Sequence, residues 1–189
     1  MTTQELFDRA QDIYRRALGL VAEIVKHVKD KQSDFDERAT YFQFDSLVQF
    51  VLLKIALSDG FSEIEGEFID QITDNYDVLT LYPYCDDEDY DWRFVGAYMS
   101  YDYAKTVVND IEKRVNEHIN AFVQLLAEVD FDTGKDYCKQ IFECLKDVVS
   151  YFILSDGNKT KQEMEMAVEV VSEWLTIPYF NLLNKLKNS

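Results

Sequence analysis

Glycine, proline, cysteine and histidine are all scarce: the 189 residues include six, two, three and two of them, respectively. So little glycine and proline excludes a collagen-like or linker-rich chain. With 47% hydrophobic and 14% aromatic residues, it points to a packed helical domain rather than disorder. Cys85, Cys138 and Cys144 are odd in number and scattered, which supports neither a disulfide framework nor a zinc knuckle, so buried free thiols are expected. His27 and His118 stand at helical positions amid charges, and neither belongs to a nucleophile pattern. A glycine-rich phosphate loop, an HExxH pair and paired CxxC motifs are also missing, so the chain is expected to be non-enzymatic.

Long apolar runs are absent too. None approaches the roughly 20 residues that span a bilayer, and the first residues mix acids and bases at helical spacing instead of forming a secretory leader. A cytoplasmic protein without membrane insertion is therefore expected. Basic residues number 19 against 36 acidic ones, a formal charge of −17. That balance argues against nucleic acid and anionic membranes as partners and favours cations or a basic protein.

What is present is helical periodicity. Leu6, Ala10, Ile13, Ala17, Val21, Ile24 and Val28 follow a three-and-four spacing, which predicts a long amphipathic helix from Glu5 to about Lys29. After the polar run "DKQSDFDER", "FDSLVQFVLLKIAL" is apolar nearly all round and reads as a central buried helix, with Asp45 or Ser46 as its N-cap. "FSEIEGEFIDQITDNY" opens on a capping box, Ser62 with Glu65. A fourth helix is predicted from Tyr101 to Val129, then a break at "DFDTGKD", then a fifth through "YCKQIFECLKDVVSYFIL". "NKTKQEMEMAVEVVSEWL" opens a sixth on a second capping box, Thr160 with Glu163. Pro178 ends it or starts a short terminal helix with Lys185 and Lys187 near its end.

The tetrapeptide "LSDG" occurs twice, at Leu57–Gly60 and Leu154–Gly157, half a chain length apart. Each copy follows a long amphipathic helix, a polar break and an apolar helix, and each precedes a capping box. The expected fold is all-α, a bundle of about six to seven helices made of two pseudo-repeated three-helix units. The first unit covers about 3–75, an acidic insertion about 76–100, the second unit about 101–175, and a C-terminal helix about 178–188. "KIALSDGFSEIEGEFI" and "YFILSDGNKTKQEMEM" resemble the two alanine-aspartate-glycine turns of TerB-like (tellurite-resistance) domains. The resemblance implies an all-α fold of two pseudo-symmetric halves, a setting in stress response or defence, and turn acids that bind metal or a partner.

Gly60 and Gly157 suit helix termination, whereas two roles are open to Asp59 and Asp156. Each could accept a local hydrogen bond in its own turn, or join Glu65 and Glu163 as a carboxylate cluster for Ca2+ or Mg2+. An EF-hand is excluded, because its first and third ligand positions would fall on Phe152 and Leu154. The run Asp86, Asp87, Glu88, Asp89 and Asp91, flanked by Tyr84, Tyr90 and Trp92, is either a solvated loop or a surface for a basic partner. An acidic inhibitor that masks such a partner is the alternative function.

Overall fold

The computed structural model describes residues 1–60, 62–73, 101–157 and 159–188, all of them in helices or the turns between. α1 spans Thr3–Lys29 and begins on a capping box: Glu5 N donates to Thr2 Oγ1 at 3.2 Å and Thr2 N to Glu5 Oε2 at 2.7 Å. Its predicted apolar stripe is buried at Leu6, Ala10, Ala17, Val21 and Ile24. α2 spans Glu37–Ala56 and is buried on nearly every side, the central helix expected.

The start of α2 corrects the sequence reading. The cap is Asp36, whose side chain accepts from Ala39 N at 3.2 Å, inside the polar run. Asp45 and Ser46 are buried in the middle of the helix instead. Tertiary contacts claim both: the Tyr14 hydroxyl of α1 donates to Asp45 Oδ1, and Ser46 Oγ donates back to Phe42 O at 2.8 Å. Burial pushes the Asp45 carboxyl up to about 7, partly offset by that tyrosine bond.

α3 spans Glu63–Thr73 and α4 Tyr101–Thr133. α4 continues through "DFDT", where the sequence suggests a break. Asp130 can stay helical there because it is buried with its carboxylate fully engaged: Oδ1 accepts from Tyr137 N at 2.8 Å, and Oδ2 from Cys138 N at 3.0 Å and Tyr179 Oη at 2.8 Å. Asp130 thereby serves the N-terminus of α5, Tyr137–Ser155, whose own N-cap, Asp136, makes no side-chain capping bond. α6 spans Lys161–Val171, a π turn follows at Ser172–Thr176, and α7 runs Ile177–Lys187 with Pro178 in its first turn. Pro178 has no N–H for the carbonyl of Trp174, and its ring crowds that carbonyl; the wider π turn accommodates both effects.

Packing interleaves the first and last parts of the chain. α1 lies along α5 and α4 along α2, while α3 packs on α5 and α6 on α2; α7 covers α4. Aromatic contacts fix these pairings: Tyr14 stacks on Phe44 at 5.8 Å, Phe44 meets Phe122 at 5.5 Å, and Phe50 meets Trp174 at 5.6 Å. Tyr14, Phe44, Phe50 and Phe122 are fully buried, and burying a side chain of this kind contributes about 1.5–3 kcal/mol. No helix among the described residues is long and apolar enough to cross a membrane. The acidic insertion, 76–100, lies outside the described residues.

Candidate functional site

Each Ser-Asp-Gly turn is built by the same local bonds. Ser58 Oγ donates to Ile55 O and Ser155 Oγ to Phe152 O, both at 2.7 Å, so each serine folds back on the last turn of its own helix. Glycine follows with positive φ, +133° at Gly60 and +78° at Gly157, conformations that β-carbon-bearing residues adopt only at a cost. The next helix then opens on its capping box. Ser62 N donates to Glu65 Oε2 at 2.7 Å and Glu65 N to Ser62 Oγ at 3.2 Å; in the second copy Thr160 N donates to Glu163 Oε2 at 2.7 Å and Glu163 N to Thr160 Oγ1 at 3.1 Å. Both capping boxes predicted from the sequence are present.

The two turns also share one electrostatic neighbourhood. An edge-on chain of rings brings them together: Phe7 of α1 meets Phe68 of α3 at 5.1 Å, and Phe68 meets Phe152 of α5 at 5.2 Å. Phe68 lies one helical turn after Glu65, and Phe152 lies just before Ser155, so this packing carries the start of α3 toward the end of α5. Thr3 Oγ1 adds a bond to Ser155 O at 3.3 Å.

The carboxylates register the result. Glu65 is 2% exposed. Burial raises its carboxyl to about 7 against the Ser62 bonds that lower it, and the negative charges of Asp156 and Glu163 raise it further. Glu163, 1% exposed, is raised first by burial and then by Asp59 and Asp156, again against its cap bonds. Asp59 is exposed and Asp156 half-buried. The Oε1 atom of Glu65 is buried without a hydrogen-bond partner among the described residues. Such an atom is uncommon and calls for a reason, since leaving a buried acceptor unmet costs about 1–3 kcal/mol.

Asp59, Glu65, Asp156 and Glu163 are thus one acidic neighbourhood rather than two separate clusters. It is not a ready ligand set: among the described residues no three His, Cys, Asp or Glu side chains are arranged to hold a metal ion. Both glutamates spend one oxygen on a helix N-terminus, which explains the lack of convergence. The other candidate surface, Asp86, Asp87, Glu88, Asp89, Asp91 and Trp92, lies outside the described residues.

One buried arrangement had no signal in the sequence. Asp130 and Tyr179 form a buried pair; burial, then the hydrogen bond to Asp130 and its charge, raise the Tyr179 hydroxyl, and burial, then the charge of Asp130, push the Cys138 thiol up to about 12. Cys138 and Cys144 are buried free thiols, as expected. His27 and His118 are half-buried boundary residues; His27 faces Asp132 at 3.8 Å and His118 meets Phe42 edge-on at 5.0 Å. Comparison with family models, curated proteins and solved structures finds no match to this chain.

Proposed function

We propose that the chain is a non-enzymatic, acidic helical binding module of TerB-like build, acting in the stress-response or defence settings that the resemblance implies. Its responsive element is the joint where the two Ser-Asp-Gly turns meet. The observation that carries this reading is the buried Oε1 of Glu65, which has no hydrogen-bond partner among the described residues, on a carboxyl that feels the charges of Asp156 and Glu163 from the second turn. Capping α3 needs only the other oxygen, so fold stability alone does not account for a carboxylate buried beside two more. The commitment of both glutamates to helix caps favours a binding role over proton transfer. The interleaved packing of α1 on α5 and α4 on α2 is what two duplicated units exchanging partners would give.

A divalent cation is the second part of the reading, and repulsion among the four acids favours it. Binding requires Asp59 and Asp156 to swing toward Glu65 Oε1, because the carboxylates do not converge as they stand. Thermal melting with Ca2+ or Mg2+ at millimolar concentration tests it. Preferential binding to the native state should raise the melting temperature by several degrees, and the Asp59→Asn/Asp156→Asn double variant should lose that rise. No shift in the wild type, or an equal shift in the double variant, would remove the cation from the account.

A further inference from the structure

Beside the second turn, α5 and α6 leave an open groove of about 420 Å³ between them. Its floor is apolar, with Val149, Ile153 and Val171 buried at its base. Its lips are also apolar but face water: Leu154 is 44% exposed, Met164 40% and Val168 70%. Single exposed apolar side chains are ordinary, whereas several gathered on one concave surface mark an interaction site.

The charged side chains in the lining of this groove are opposite in sign to the chain as a whole. In a protein of net charge −17, no acid is among the described residues that line it, and Lys146 and Lys159 are. Lys146 meets Glu143 at 3.2 Å, but that pair is exposed on both sides. Such a pair is worth under about 1 kcal/mol and is readily exchanged for another acid. The groove follows α5 from Phe142 to Leu154, about three helical turns at 1.5 Å per residue. An apolar trough of that length with lysines in its lining matches the helix-in-groove mode of recognition, in which apolar anchors recur at i, i+3/i+4 and i+7.

We propose that the α5–α6 groove docks an amphipathic helix of another protein, about three turns long, whose apolar face fills the trough and whose flanking acids meet Lys146 and Lys159. A second copy of this chain, the competing occupant, would show as a dimer in sedimentation. The inference is independent of the turn carboxylates and of any cation.

Selection from a displayed library of 14-residue peptides against the full chain tests it, followed by fluorescence anisotropy of the enriched peptides with the wild type and with two variants. Met164→Asp/Val168→Asp alters only the exposed lips, and Lys146→Glu/Lys159→Glu reverses the two lysine charges; circular dichroism melting checks that both stay folded. The expected outcome is enrichment of acidic sequences with helical apolar spacing, whose affinity falls at least tenfold in each variant. Enriched peptides that bind both variants as well as the wild type would overturn the groove while leaving the binding-module reading in place. No enrichment, enrichment of basic or non-helical sequences, displacement of the peptides by lauric acid, or a dimer in sedimentation that the lip variant abolishes would each overturn the proposal.

Discussion

Replacing Glu65 by glutamine separates the cap from the charge. The amide oxygen can still accept from Ser62 N, so the capping box survives, while the ionisable group beside Asp156 and Glu163 is gone. In the native state this carboxyl is raised from 4.5 to about 7. A native value above the unfolded one means that the folded protein holds the proton more tightly. The stabilisation from that proton is fully present below about pH 4.5 and is lost as the pH rises through about 7. At about 1.4 kcal/mol per tenfold change in proton affinity, ionising Glu65 costs the native state up to about 3 kcal/mol. Glutamine carries a fixed cost for burying an amide in place of Oε1, but that cost does not change with pH. Urea unfolding of both proteins from pH 4 to pH 8 should therefore show the Glu65→Gln variant gaining about 2–3 kcal/mol on the wild type across that range. Taking the difference cancels the general repulsion of a highly acidic chain, which acts on both proteins alike. A gap that stays constant with pH would refute the reasoning, because Glu65 would then titrate as an ordinary glutamate.

Other perturbations follow from the same geometry. Asp130→Ala strips three buried donors of their acceptor and should cost about 3–5 kcal/mol in urea unfolding, whereas Tyr179→Phe, which removes one of the three bonds, should cost about 1–2 kcal/mol. Gly157→Ala meets no neighbouring atom but must hold φ at +78°, so a loss of about 1–2 kcal/mol is expected, caused by backbone conformation alone. Cys138, buried with its thiol pushed up to about 12, should resist iodoacetamide at pH 8 until the protein is unfolded; labelling at the rate of a free thiol, read by peptide mapping, would contradict its placement.

The parts of the fold that depend on neighbours in sequence were legible there. Ser62 with Glu65 and Thr160 with Glu163 declare helix starts through a three-residue pattern, and the periodicities of α1 and α2 assign one to a half-buried position and the other to the centre. Asp45 misled because an acid ahead of an apolar run has the pattern of a cap; only the hydroxyl of Tyr14, from another helix, makes it a buried mid-helix residue. Asp130 misled in the same way, since a cluster of acids and a glycine resembles a break, while its three partners come from α5 and α7. The candidate acids were legible one turn at a time. That Glu65 answers to Asp156 and Glu163 depends on the ring chain Phe7, Phe68 and Phe152, a contact no local pattern encodes. The α5–α6 groove is not legible in the sequence for a related reason: Met164 and Val168 continue a helical apolar pattern, and only the packing shows which of those positions remain uncovered.

The coupling between the two turns is tested most directly by carbon-13 NMR of the Glu65 side-chain carboxyl, titrated in the wild type and in Asp156→Asn. The midpoint should lie near 7 in the wild type. In the variant it should fall, though not to the ordinary value, because burial is the larger cause and remains. A midpoint near 4.5 in the wild type, or one that Asp156→Asn leaves unmoved, would contradict the claim that the two Ser-Asp-Gly turns form a single acidic joint.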